Sequence, residues 1–219
     1  MKNINFKRFT AYLIDLLIIS VLVTLISQIK ILNPYNSKYI ETSEKFKAYY
    51  TENIETSENI SYKQLFNKEY INIMHDLSKY SVSTSIIEII TIIAYFTAFP
   101  LLFNGQTIGK KICKLKICSK KGKLKFHNLL IRTLFYPIWT SIVLYTPLTS
   151  ILLVIVVFLF KGFTYFYLNL AITIIFMIYC YVDVVLFYNK ESIHDKLSNT
   201  KVLEVKKGEV LWVLFMKRL

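Results

Sequence analysis

The sequence has 219 residues, of which 54% are hydrophobic and 16% aromatic, and its formal net charge is +13 at pH 7. Its mean hydropathy of +0.45 is far above what the core of a soluble domain of this length requires. The Lys and Arg residues are confined to segments between apolar runs, which argues against a nucleic-acid partner and makes the charge a signal of topology. The composition therefore indicates a protein that lies in a lipid bilayer.

The three cysteines, Cys113, Cys118 and Cys180, give no framework for disulfides or metal binding. Their number is odd, and they lack the CxxC or Cys/His spacing of a zinc site. We therefore expect reduced thiols, no metal and no cofactor. His194 and Asp195 are adjacent, but no nucleophile lies at a usable spacing from them. The sequence therefore predicts that the protein is not an enzyme.

The first apolar run, residues 12–29, contains no charge except Asp15. At a rise of roughly 1.5 Å per residue, this run is long enough to cross a hydrocarbon layer of about 30 Å. An ionised aspartate in a spanning helix costs roughly 2.5–3.5 kcal/mol, so such residues usually face a partner or a wet cavity. Asp15 is therefore a functional candidate, although a carboxylate that only pins helices together would give the same pattern.

Three further apolar stretches reach spanning length, so the predicted fold class is an all-α membrane protein with four transmembrane helices. The spans are residues 9–29, 83–103, 137–160 and 163–187. Glu88 lies near the outer end of the second span, where it can reach headgroups or water. Asp183 lies about one turn inside the inner end of the fourth span. Pro147 should kink the third span, because proline has no backbone N–H to donate.

Basic residues are unevenly distributed between the connecting segments. Residues 104–125 contain eight lysines and no acid, whereas loop 30–80 contains seven lysines and seven acidic residues. The positive-inside rule places the N-terminus, loop 104–136 and tail 188–219 in the cytoplasm, with loop 30–80 outside. We expect four basic side chains of the inner loop to face anionic lipid headgroups: Lys110, Lys111, Lys114 and Lys116.

The inner loop and the tail have the pattern of a small cytoplasmic sheet. Residues 111–119 alternate apolar with basic side chains, and a Lys121-Gly122 turn precedes residues 123–126, which predicts a β-hairpin. Residues 200–205 have the same character. The prediction is therefore a hairpin or a three-stranded sheet.

Helical periodicity is present in three of the connecting segments. Residues 127–136 predict an amphipathic helix at the membrane interface, and weaker patterns at residues 43–50 and 62–80 predict short outer helices. The glycines Gly105 and Gly109 have three residues between them, whereas a phosphate-binding loop needs four. We expect them to set a turn between the second span and the sheet.

Several separated motifs occur in one order along the chain. They are residues 6–18 (FKRFTAYLIDLLI), residues 105–117 (GQTIGKKICKLKI), the Lys121-Gly122 turn, Arg132, and residues 192–202 (SIHDKLSNTKV). In this order the chain resembles the RDD family of bacterial membrane proteins, which is named for one arginine and two aspartates. The resemblance places these on Arg8, Asp15 and Asp195. It implies one membrane domain over residues 1–219, in a bacterial cell membrane, with a role in transport and an unsettled ligand.

The spacing of the charged residues suggests how they can meet. Arg8 and Asp15 share a helix face but are separated by roughly 10 Å along the axis, too far for an unaided contact. Asp195 can cap a helix or receive Arg8. With Arg132 at the inner mouth of the third span and Asp183 near the inner end of the fourth, an Arg/Asp cluster can form on the cytoplasmic half. Alternatively, the charges pin helices or reach the interface.

Two classes of function are compatible with these observations. The first is a transporter of an ion or small solute, proton-coupled through Asp15, which must be a homo-oligomer because four spans hardly enclose a water-filled route. The second is a non-transporting membrane module whose basic cytoplasmic face binds a partner protein or anionic lipid. The sequence alone does not separate them.

Overall fold

The computed structural model describes residues 2–52, 67–139, 144–189 and 191–205. Its contacts form two compact units. The first unit comprises Met1–Leu22, Ile90–Pro147 and Cys180–Leu219; the second comprises Val23–Ile89 and Leu148–Tyr179. Helices predominate, which satisfies the backbone hydrogen-bonding groups of apolar segments internally. The apolar tail beyond residue 205 lies outside the described residues.

Among the residues that the structure describes, three helices are long and apolar enough to cross a membrane. Helix α1 is Lys2–Ser27. Helix α3, Lys68–Ile93, continues through a π-helical turn, Ala94–Ala98, into α4, Phe99–Leu102. Helix α8 is Gly162–Asn189. The apolar portions correspond to the first, second and fourth predicted spans.

The third predicted span, residues 137–160, is not one helix in the described part of the chain. Strands β2 (Ile138–Trp139) and β3 (Leu144–Tyr145) pair antiparallel, and helix α7, Pro147–Leu159, follows with 13 residues. Such a helix is about 20 Å long, less than the hydrocarbon thickness of about 30 Å. The prediction of four spanning helices is therefore not confirmed. The predicted kink at Pro147 is wrong, because this residue begins a helix, where its missing N–H costs nothing.

A two-stranded antiparallel sheet joins the middle of the chain to its later part. Strand β1, Leu115–Ser119, pairs with β4, Thr200–Glu204, and Ile117 stands opposite Val202. The strand predicted at residues 200–205 is confirmed, but the hairpin is wrong.

The segment after the Lys121-Gly122 turn leads into a helix instead of a second hairpin strand. Helix α6 is Phe126–Leu134, and the backbone N–H of Lys125 donates to the side-chain oxygen of Asn128. This capping bond takes the donor that a strand would need. The amphipathic helix predicted at residues 127–136 is therefore present, with Leu129 fully buried and Phe126 exposed.

The core of the first unit brings together α1, the sheet and α6. Its buried apolar residues are Ala11, Leu115, Ile117, Leu129 and Val202. Two short helices complete this unit: α5, Ile108–Ile112, and α9, Ile193–Leu197. The alternation seen in β1 thus buries Leu115 and Ile117, because successive side chains of a strand point to opposite faces.

The second unit contains the first part of the connecting loop. Helix α2, Asn36–Tyr50, includes the short helix predicted at residues 43–50. The helix predicted at residues 62–80 is the beginning of α3 from Lys68, whereas residues 62–66 lie outside the described part. A core of Val82, Val156, Val157 and Tyr165 packs α3 against α7 and α8.

Candidate functional site

Asp15 is completely buried in α1, and three groups among the described residues donate hydrogen bonds to it. The hydroxyl of Tyr95 donates to Oδ1 at 2.6 Å, the hydroxyl of Thr107 donates to Oδ2 at 2.6 Å, and the backbone N–H of Gly109 donates to Oδ1 at 2.8 Å. Nζ of Lys110 lies 3.5 Å from Oδ2. A buried carboxylate requires such partners, because losing its hydration is expensive.

Local backbone geometry brings these donors to Asp15. Tyr95 lies in the π-helical turn, a feature that often marks functional sites. Thr107 is the N-cap of α5, where its hydroxyl also accepts from the backbone N–H of Lys110. At Gly109, an added Cβ would lie 2.2 Å from the Ala11 carbonyl oxygen and 2.8 Å from Oδ1 of Asp15. The predicted turn thus binds a carboxylate of the same chain.

Lys110 is buried, which corrects the prediction that it faces lipid. Only 5% of its surface is exposed, and its Nζ lies 5.5 Å from the ring centroid of Phe96 and 6.0 Å from that of Tyr136. Burial lowers the pKa of Lys110 to about 8, even though Asp15 acts in the opposite direction. The negative carboxylate and the two aromatic faces explain why this lysine turns inward.

The other three lysines of the predicted lipid-facing group are not alike. Lys111 and Lys114 are exposed, and Lys116 is half-buried. Their contact with lipid headgroups remains a prediction. Glu88 belongs to the second unit, where it is half-buried.

Asp195 accepts hydrogen bonds from both Arg8 and Arg132. Nη2 of Arg8 donates to Oδ2 of Asp195 at 2.8 Å, and Nη1 of Arg132 donates to Oδ1. Arg132 also donates to Thr200 at 2.9 Å, and Ser192 donates to Asp195 at 2.9 Å. Burial lowers the pKa of Arg132 to about 10, so its guanidinium still carries its charge at neutral pH. The predicted contact between Arg8 and Asp195 is therefore present.

Asp183 and His194 form a third buried pair. The backbone N–H of His194 donates to Oδ1 of Asp183 at 3.0 Å, and its Nδ1 lies 2.7 Å from Oδ2. Burial lowers the pKa of His194 to about 4, so the imidazole is neutral at pH 7 and its Nδ1–H donates to the carboxylate. Asp183 is thus buried and belongs to the charged cluster.

Among the described residues, the cluster contains three cationic and three acidic side chains. The cationic ones are Arg8, Lys110 and Arg132, and the acidic ones are Asp15, Asp183 and Asp195. The two aspartates of the family motif have different cationic partners, because Asp15 contacts Lys110 whereas Asp195 contacts the arginines. The formal charges of these six side chains sum to zero.

A cavity of about 210 Å³ lies beside this cluster in the first unit. Its wall includes all three cationic side chains, together with Asp183, Tyr136 and His194. The ring of Tyr136 packs edge-on against those of Tyr12 and His194, with centroid distances of 5.8 and 4.9 Å. Burial raises the pKa of Tyr136 to about 12, so the phenol is neutral at pH 7. Apart from Tyr12, the other lining residues that the structure describes are apolar.

The sequence identified the charges but missed several of their partners. Tyr95, Thr107 and Gly109 were not candidates, and His194 had no assigned partner. The spacing of Gly105 and Gly109 was the sequence signal for the turn that contacts Asp15. No sequence pattern distinguishes Tyr95 from the other residues of its apolar helix. In the described ranges, no group of three or more His, Cys, Asp or Glu side chains is placed to hold a metal ion.

Long apolar helices that contain buried ion pairs define an integral membrane protein. The model of the RDD family matches residues 5–199, so the chain belongs to this family. No curated protein and no solved structure matches the chain. The three positions that the resemblance assigned, Arg8, Asp15 and Asp195, all belong to the charged cluster of the first unit.

Proposed function

We propose that the protein moves a small ion across the bilayer in exchange for a proton at the Asp15–Lys110 pair, and that it is a transporter rather than an enzyme. One observation carries this proposal: a fully buried carboxylate in a helix of spanning length has a lysine ammonium as its charged partner. The pKa of that lysine, about 8, allows it to lose its proton near physiological pH.

The ammonium of Lys110 occupies the place that a mobile cation would take. It lies 3.5 Å from Oδ2 of Asp15 and 3.4 Å from the hydroxyl oxygen of Thr107. Oxygen atoms of carboxylates and hydroxyls are suitable ligands for hard cations. When Lys110 releases its proton, the oxygen atoms of Asp15 and Thr107 can bind an incoming cation; when the cation leaves, Lys110 takes up a proton again.

Everted vesicles with an imposed pH gradient test this exchange. Addition of Na⁺, Li⁺ or K⁺ should dissipate the gradient with the wild type, and Asp15→Asn should abolish this effect. Glu88→Gln is the matched control, because it removes another carboxylate from an apolar helix. Exchange should increase between pH 7 and 9, as Lys110 loses its proton, and Lys110→Gln should remove this increase. If no cation dissipates the gradient, or if a folded Asp15→Asn protein retains exchange, the proposal fails.

We further propose that the working form is a homo-oligomer in a bacterial cell membrane. The basic loop 104–136 and both termini lie in the cytoplasm, which the charge asymmetry of the loops supports. Along α1, Leu13, Leu17, Val21 and Leu25 are exposed at four-residue spacing. This apolar face is available to lipid or to a second copy, and cross-linking in native membranes measures which it meets.

A second candidate function is a non-transporting module that binds anionic lipid. The exposed side chains of Lys111 and Lys114 favour it, because basic residues beside a membrane attract anionic headgroups. Thermal stability in nanodiscs should then rise when anionic lipid is added. The rise should be smaller for the double variant Lys111→Gln/Lys114→Gln. Equal rises in both proteins would exclude this function.

A further inference from the structure

We propose that the cavity beside the charged cluster is a binding site for a medium-chain carboxylate, a small anion with one apolar tail. This site shares the Lys110 side chain with the Asp15–Lys110 pair that exchanges ions under the proposed function, but Asp15 is not among its lining residues. It is formed entirely within the first unit, by side chains of α1, α6, α8, α9 and the sheet, together with Lys110 of α5.

The charges on the cavity wall favour an anion. Arg8, Lys110 and Arg132 line the cavity, but Asp183 is the only carboxylate among the lining residues that the structure describes. Asp15 and Asp195, which pair with the three cations, are not part of the wall. A group inside the cavity is therefore closer to the positive ends of these ion pairs than to the negative ends. In a site poor in water, this arrangement attracts negative charge strongly.

The rest of the wall favours an apolar tail. Phe9, Leu144, Val184 and Val202 are among the apolar lining residues. An apolar cavity of about 150 Å³ accommodates benzene, so about 210 Å³ has room for a chain of about six to eight carbons. The two acyl chains and the headgroup of a phospholipid need far more space. The size of the cavity therefore selects a single-chain carboxylate.

The cavity reaches the surface of the protein. Phe9 and Val184 line it and are 45% and 46% exposed. Both lie in helices of spanning length, α1 and α8. An amphiphile can therefore enter with its tail along these side chains and its carboxylate toward the cationic groups. The phenol of Tyr136 and the neutral imidazole of His194 provide further polar contacts without adding a negative charge.

Binding of octanoate to the full chain in nanodiscs of neutral lipid tests this site. Equilibrium dialysis of radiolabelled octanoate, corrected with empty nanodiscs, should show saturable binding. Octylammonium and octanol have the same chain length but a positive or no charge, and each should compete at least tenfold more weakly. Saturable binding with this order of competition supports the site; absence of saturable binding, or equal competition by octylammonium, overturns it.

Two adjacent substitutions in α8 locate the binding. Val184→Trp places a large side chain in the cavity, whereas Val185→Trp adds the same bulk at a position that is 43% exposed and does not line the cavity. Octanoate affinity should fall at least tenfold for Val184→Trp and stay within twofold of the wild type for Val185→Trp. If Val184→Trp does not fold, Leu144→Trp fills the same cavity from β3. Unchanged affinity in a folded, cavity-filled variant overturns the assignment.

A third experiment distinguishes a free carboxylate from a membrane lipid as the occupant of the cavity. If nanodiscs that contain anionic phospholipid bind octanoate as well as neutral nanodiscs do, the occupant is the free acid. If the phospholipid displaces octanoate, the assignment of a single-chain carboxylate is overturned. These measurements do not depend on transport, so a failure of the exchange proposal leaves their outcome unaffected.

Discussion

Gly109 packs against Ala11 so closely that a Cβ at position 109 would lie 2.2 Å from the Ala11 carbonyl oxygen. The same glycine donates its backbone N–H to Asp15. Helix α1 and the turn that begins α5 are therefore held at a separation that only glycine permits. This close approach is what allows a main-chain donor to reach a buried carboxylate in α1.

Gly109→Ala should consequently destabilise the protein by about 3–5 kcal/mol. Overpacking costs about 1–3 kcal/mol, and a lost hydrogen bond to a charged group costs about 1.5–3 kcal/mol. Gly122→Ala is the matched control, because nothing lies within 4 Å of its added Cβ. Its positive φ still costs about 1–2 kcal/mol. Denaturation in detergent measures both variants, and a Gly109→Ala protein as stable as Gly122→Ala would contradict the close packing.

Removing Asp195 should be more damaging than removing Arg8. Asp195→Asn removes the carboxylate that both Arg8 and Arg132 contact, which should cost about 3–5 kcal/mol. Arg8→Gln leaves Asp195 paired with Arg132 and should cost less. The measurement is the free energy of unfolding of each single and double variant.

The same variants, combined with Asp15→Asn, show which charges are coupled. Arg8→Gln with Asp195→Asn should cost clearly less than the two single variants together, because these side chains are bonded. Arg8→Gln with Asp15→Asn should be additive to about 0.5 kcal/mol, because the two residues have different partners. Additive effects for Arg8 and Asp195, together with non-additive effects for Arg8 and Asp15, would show that Arg8 acts on Asp15.

Acidification should destabilise the first unit through His194. Its pKa is about 4 in the folded protein and 6.5 ordinarily, so between these values the unfolded chain binds more protons. Stability therefore rises with pH across this window and should fall by about 2 kcal/mol between pH 7 and pH 5. His194→Gln should flatten this dependence, whereas His127→Gln, which removes an exposed histidine, should leave it intact. An unchanged slope in His194→Gln would rule out this histidine as the cause.

Cysteine labelling should report the proposed orientation. Lys47 in α2 and Lys121 in the turn after β1 are both exposed, so a cysteine at either position can react where the reagent reaches it. An impermeant thiol reagent should label Lys47→Cys in intact cells and Lys121→Cys only after the cells are opened. The protein with serine at its three native cysteines serves as background. Labelling of Lys121→Cys from outside would reverse the topology.

Asp15 could be predicted because a charge in an apolar run stands out, whereas its partners could not. Tyr95 lies within a continuous apolar helix, and the π-helical turn that carries it has no pattern in the sequence. Lys110 is one of eight lysines in a basic segment, and its burial depends on Asp15, which is distant in the chain. Propensity and spacing are local quantities, so they do not report such contacts.

The strands show the same limit. Alternation at residues 115–119 correctly indicated a strand, because one face of it is buried. The sequence favoured residues 123–126 as the partner of this strand, but that segment leads into α6, and β1 pairs with β4 instead. The predicted length of the third span, residues 137–160, is greater than that of the helix for a related reason. Hydropathy measures how apolar a segment is, but it does not show that the helix begins at Pro147.

Because β1 pairs with β4, this sheet can form only late in the synthesis of the chain. A ribosome completes α1, β1 and α6 long before it reaches Asp195 and β4, so during that interval Arg8 and Arg132 lack this carboxylate and β1 has an open edge. Unpaired strand edges and uncompensated buried charges expose a nascent chain to aggregation. A chain that stops before residue 190 therefore keeps these defects permanently.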